Sequence, residues 1–191
     1  MKSRLLFVLL VCVSCLTGAQ EMRAADPLRA LIACPLGDGL RVTAVDRVNA
    51  GTTRRMVDTA AGKAAVSIAD GYRVMLANAQ GESFAKLMIE QSAPGQLDAD
   101  RATIFAQLNS FSSRYGASAR FLKTGIERGV EEIYFDFSAV GEQAPSGITT
   151  LIAPDRNVVA TVYLLSRQEG EHAKATHGAL IAALTACLGR N

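Results

Sequence analysis

Few side chains in this sequence are equipped for chemistry, and their spacing does not favour it. The two histidines, His172 and His177, fall in a segment with helical periodicity, where five positions amount to about 140° of rotation. They therefore cannot grip one metal ion as an i, i+4 pair does. Glu169, Glu171 and His172 gather at the start of that helix, either as a weak cation site or simply as acids that favour a helix N-terminus. Ser83 stands in Gly81-Glu82-Ser83-Phe84-Ala85, which lacks the last glycine of a nucleophile elbow and enters a strand instead of a helix. Gly37-Asp38-Gly39 has no Gly-Lys-Ser/Thr and no helix signal after it, so it is not a phosphate loop. No metal and no cofactor are expected, and a hydrolase built on these scattered groups is kept only as an alternative.

The cysteines suggest a staple rather than a reagent. Cys12 and Cys15 belong to an N-terminal leader: Lys2 and Arg4, an apolar run over residues 5–13, then small residues at Thr17 and Ala19. That pattern predicts a secretory signal peptide over residues 1–19, cut after Ala19. Two other readings stay open, lipid attachment at Cys15 behind Val13-Ser14 and an uncut anchor, although the run is short of the about 20 apolar residues a spanning helix needs. The expected address is periplasmic or secreted. Of the 191 residues, loss of 19 leaves 172, a single domain over residues 20–191. In an oxidising compartment its two cysteines, Cys34 and Cys187, are expected to form a disulfide, with two buried thiols as the alternative.

Charge removes one class of partner. Lys+Arg number 20 and Asp+Glu 18, and the leader takes Lys2 and Arg4 with it, so the remaining chain is formally neutral. A broad basic field is absent, and nucleic acid is not an expected partner. Arg54-Arg55 and the scatter of Arg114, Arg120, Lys123 and Arg128 suggest either a local patch or an ordinary solvated surface.

The elements that would position any site follow from periodicity. β-like runs cover residues 40–48, 52–59, 64–68, 72–77 and 83–91, with Asp70-Gly71 predicting a tight turn between the third and fourth. After Pro94-Gly95 the period becomes helical: Ile104, Leu108, Phe111 and Tyr115 share a stripe, Asp98 and Asp100 suit the N-terminus, and Gly116 ends the helix. Two hairpins follow, over 121–138 and 146–167. In the second, Pro154-Asp155-Arg156-Asn157 makes the turn, and the arm after it is apolar on both faces, as in an inner strand covered above and below. A last helix spans 171–188, with Leu180, Ile181, Leu184 and Leu188 on one stripe. The fold class is α+β, an antiparallel sheet with two amphipathic helices packed on it. Within the first hairpin Glu132, Tyr134 and Asp136 alternate with Ile133, Phe135 and Phe137, which makes them a candidate partner surface, or else a ridge in which Tyr134 packs beneath a helix and the acids pair with Arg120 or Lys123.

An early hairpin around Ile68-Ala69-Asp70-Gly71-Tyr72, a mid-chain helix, a pair of antiparallel hairpins and a C-terminal helix make an order that resembles the PsbP-like fold over about residues 52–188. That fold is shared by extrinsic photosystem subunits and small bacterial envelope lipoproteins of the DcrB type. The resemblance implies a non-catalytic module that binds proteins or supports assembly. The expectation is therefore a protein partner in the envelope or outside the cell, with an inhibitor or immunity role included. A carrier of a small apolar ligand between helix and sheet is the main alternative.

Overall fold

The run Val158-Val159-Ala160-Thr161-Val162 is apolar on both faces, and in the folded chain all five residues are buried. The structure, a computed structural model, describes residues 27–37, 39–116, 120–137, 145–165 and 171–189. Its elements are α1 (Pro27–Ile32), β1 (Arg41–Thr59), β2 (Gly62–Ala77), β3 (Ser83–Ser92), α2 (Leu97–Tyr115), β4 (Arg120–Glu127), β5 (Val130–Asp136), β6 (Gly147–Ala153), β7 (Val158–Leu164) and α3 (Glu171–Leu188). The strands form one seven-stranded sheet in the order β1-β2-β3-β7-β6-β5-β4, every neighbour antiparallel. The class is α+β, and β7 is the middle strand. Two meanders, β1 to β3 and β4 to β7, meet at the β3–β7 pair, with α2 as the connection between them.

Both faces of the sheet are covered. On one, Val158, Ala160 and Val162 join Val74, Leu76, Leu87, Ile89 and Leu151 against Leu28 and Leu31 of α1 and Leu180, Ile181, Leu184 and Leu188 of α3. On the other, Val159 joins Ile133, Phe135, Ile148 and Ile152 against Ile104 and Leu108 of α2. Phe111 and Tyr115 continue the α2 stripe into an aromatic group with Phe135 and Phe137, the closest ring centroids 5.0 Å apart. Gly116 stops α2 with φ +57°. Among the described residues no helix is long and apolar enough to cross a membrane.

Two expectations need correction. The runs 40–48 and 52–59 are one strand, β1, and the runs 64–68 and 72–77 are one strand, β2. Asp70-Gly71 is therefore not a turn: Asp70 lies between Ala50 and Gln91, and Gly71 between Asn49 and Glu90. The first reversal falls instead at Ala60-Ala61, before Gly62 at φ +111°. What the dipeptide marks is an irregularity in register next to Ala69. Its effect is to switch faces: Val66 and Ile68 point to the α2 side, while Tyr72, Val74 and Leu76 point to the α3 side. An uninterrupted strand would keep these even-numbered residues on one face. Pairing on both flanks, against β1 and β3, overrides the local turn preference.

The outer half of the β1–β2 hairpin consequently leans on α2. Asp100 does not cap its helix. Instead its Oδ1 accepts a hydrogen bond from the Ser67 backbone N–H at 2.8 Å, and Ser110 Oγ reaches Asp58 O at 3.4 Å. The turn after β6 is tied down in a similar way, with Asn157 in the left-handed region at φ +56°, its Nδ2 donating to Ser92 O and its carbonyl accepting from Ser92 N–H.

Candidate functional site

Glu132, Tyr134 and Asp136 share one sheet face, opposite Ile133, Phe135 and Phe137. That face is the α3 side, and the ridge is covered. The Tyr134 ring lies 5.2 Å from the His177 ring, Asp136 is only 8% exposed, and Glu132 is half-buried. Burial, reinforced by the charge of Asp136, pushes the Tyr134 hydroxyl above its usual range. The arrangement is the second of the two readings for Tyr134, packed beneath a helix. Arg120 is in register with Asp136 and Lys123 with Tyr134, but the side chains of both basic residues lie outside the described residues.

His177 is a packing residue of this ridge: its Nε2 is 3.0 Å from the hydroxyl of Thr149, which is fully buried. Such a hydroxyl cannot meet a substrate. His172 is exposed, as is Ser83 at the start of β3. The ridge depends on Gly147, where an added Cβ would stand 2.9 Å from Tyr134 Cε2 and 3.2 Å from Leu164 Cδ1. Gly147→Ala is expected to cost about 1–3 kcal/mol in urea unfolding. The cost should shrink in a Tyr134→Leu background, where the crowded ring is gone.

Cys34 and Cys187 are joined by a disulfide, with Cα atoms 6.3 Å apart. The leader residues and Cys15 lie outside the described residues.

A different group of residues is brought together on the α2 side. There α2 lies against the outer part of β1 and β2 and packs onto side chains of β5 and β6, but leaves Met75, Lys86 and Met88 only half-buried and Arg73 exposed. Register lines the side chains into rows. Met75, Lys86, Tyr163 and Ile148 form one row, and Arg73, Met88, Thr161 and Thr150 the next. Lys86 Nζ sits 4.2 Å above the centroid of the Tyr163 ring. Among the described residues no carboxylate makes an ion pair with it. Both neighbouring cations are paired: Arg73 with Asp46 at 2.9 and 3.2 Å, and Arg55 with Glu90 at 2.7 and 2.6 Å.

The electrostatics of this platform differ residue by residue. Burial, then the positive charges of Arg73 and Arg55, lower the pKa of Lys86, and the ring face beneath it offsets part of that by favouring the ammonium. Burial works against the charge of Arg55, but the hydrogen bonds and charge of Glu90 outweigh it and raise its pKa. Burial raises the pKa of the Tyr163 hydroxyl, opposed by Arg55 and reinforced by Glu90. Arg54-Arg55 is thus not a joint surface patch, since Arg55 turns inward onto β3 while Arg54 is exposed.

Beside the platform, a cleft lined by Arg55, Gln107, Phe111, Thr150, Thr161 and Tyr163 encloses about 20 Å³. Small-molecule sites run to about 300–1,000 Å³. Ile104, Leu108 and Phe111 fill the space between helix and sheet. Fold and site together define an α+β sandwich with helices on both faces that presents a cation–aromatic platform flanked by two flexible methionines. Comparison with protein-family models, with curated proteins and with solved structures finds no match to this chain.

Proposed function

We propose that this chain is an exported, non-catalytic binding module. On this reading its partner is an envelope or secreted protein that lays an acidic and apolar segment on the Arg73, Met75, Lys86, Met88 and Tyr163 platform. The observation that carries the reading is Lys86: a half-buried ammonium set over the Tyr163 ring, lowered in pKa, with no carboxylate in ion-pair reach among the described residues. A partner carboxylate supplies the missing charge, and Met75 and Met88 adapt to whatever apolar side chains flank it. The leader pattern and the Cys34–Cys187 bond support export to an oxidising compartment. The resemblance in element order to the PsbP-like fold supports the non-catalytic class.

Two results are expected. Affinity capture with mild crosslinking from the native cells should recover a partner with the wild-type chain and lose it with Lys86→Glu. The corresponding affinity should fall by about 2 kcal/mol or more, roughly thirtyfold. Lys63→Glu, at an exposed cation on the β1–β2 hairpin, should capture as the wild type does. Recovery of the same proteins by all three chains overturns the reading.

The second result is a pH dependence. A lysine whose folded pKa lies below its unfolded value binds its proton less readily in the folded state, so it penalises folding at neutral pH, and the penalty disappears as pH rises through the lysine range. The stability of the wild type relative to Lys86→Met should therefore increase from pH 7 into the alkaline range. A difference that stays flat in urea titrations at both ends contradicts this placement of Lys86.

A further inference from the structure

The sheet has one long free edge, β1, whose outer rim meets no strand among the described residues. An unguarded edge strand is a template for pairing with another chain, and proteins usually blunt it with charge or bulges. On β1 the first segment, Arg41-Val42-Thr43-Ala44-Val45-Asp46, instead exposes two valines, Val42 at 41% and Val45 at 43%. Its one irregularity here, at Thr43, is satisfied within the chain, because the Thr43 hydroxyl donates to Met75 O at 3.2 Å.

This segment is complementary to itself. Turned antiparallel about a two-fold axis between Thr43 and Ala44, it sets Arg41 opposite Asp46, Val42 opposite Val45, and Thr43 opposite Ala44, each pair occurring twice. The faces agree as well. Val42 and Val45 pair in register with Leu76 and Val74, whose side chains lie on the α3 side, whereas Asp46 bonds Arg73 on the platform side. Alternation puts Arg41 on that same platform side. A two-fold axis perpendicular to the sheet preserves these faces. Moving the axis onto Ala44 would set Arg41 against Arg47, and moving it onto Thr43 would set Arg41 against Val45. Only the first of these registers matches charge with countercharge and valine with valine.

We infer that the chain forms a two-fold dimer by antiparallel pairing of β1 with β1 of a second copy, with Arg41–Asp46 and Val42–Val45 as its cross-strand pairs. The two sheets then continue into one, and the two platforms lie side by side on the same face. The cross-strand pairs themselves lie outside the proposed partner site, although Asp46 also bonds Arg73 of that site, and the sedimentation test needs no partner.

Sedimentation of the exported chain, leader removed and disulfide intact, over a micromolar concentration series should show a monomer–dimer equilibrium. Arg41→Asp and Asp46→Arg should each weaken it roughly tenfold or more, because two attractive cross-strand pairs become two repulsive ones. Arg41→Asp combined with Asp46→Arg should restore it. Val45→Thr keeps a β-forming residue at an exposed position, so it should weaken association without unfolding the chain, and thermal melts by circular dichroism check that each variant is folded. A wild type that stays monomeric, a dimer indifferent to the single charge reversals, or a folded double variant that fails to reassociate overturns the inference.

Discussion

Opening the Cys34–Cys187 bond is expected to lower the unfolding free energy by about 3–5 kcal/mol, the upper figure being the chain-entropy value for a closed loop of this length. The two cysteines are 153 positions apart, so in the unfolded chain the bond restrains almost the whole domain. In the folded chain it fixes only a short connection, from the segment behind α1 to the last turns of α3. There the Cys34 sulfur already lies 3.5 Å from Ala183 O, and Leu28, Leu31 and Leu36 are buried in the core under α3. The native packing does not need the bond for its geometry, so the domain should remain folded when reduced while its melting temperature drops by about 10 °C or more. Cys34→Ala with Cys187→Ala should reproduce the loss in the absence of reductant. An unchanged urea midpoint, with both thiols shown to be free by titration, would contradict this account.

Much of the architecture is written in local pattern. The second arm of the central hairpin, apolar on both faces, is the middle strand of the sheet, and the α2 and α3 stripes fall where the 3.6-residue period puts them. These features are legible because burial acts on each residue through its own neighbours in sequence. The long strands are not legible in that way. Ala69-Asp70-Gly71 carries the composition of a turn, and its actual role, moving β2 from the α2 face to the α3 face, depends on β1 and β3 holding it from both sides. The same limit hides the platform. The run 83–91 is readable as a strand, but its apolar content suggests that Met88 joins Leu87 and Ile89 in the core, whereas Met88 lies half-buried on the opposite face with Lys86. That Tyr163 comes to lie under Lys86 requires β3 to pair with β7, across the junction of two meanders 77 positions apart. Tyr134 stands between these cases: its face is readable and burial beneath a helix is one of two readings the sequence leaves open, and the contact with His177 of α3 decides for it.

Arg55 flanks the platform on the same sheet face, and replacing it should be more damaging than replacing its partner. Its guanidinium holds Glu90 through two hydrogen bonds, and it also feels the charge of Asp100. Both carboxylates are 1% exposed, and Asp100 Oδ2 has no hydrogen-bond partner of its own. Arg55→Met removes the cation that bonds Glu90 and lies within the field of Asp100, both buried acids, for an expected loss of about 3–5 kcal/mol. Glu90→Gln leaves a guanidinium that is still 31% exposed to water and still near Asp100, so its cost should be clearly smaller. Combining Arg55→Met with Glu90→Gln should recover part of the loss, since one of the two uncompensated charges is gone. Because the pair ties the outer part of β1 to β3 across β2, Arg55→Met should also loosen the arm that clasps α2, seen as faster amide exchange at Ser67, whose N–H is held by Asp100. Equal costs for the two single variants would show that Asp100 does not depend on Arg55, and full additivity in the double variant would show that Arg55 and Glu90 do not act as a pair.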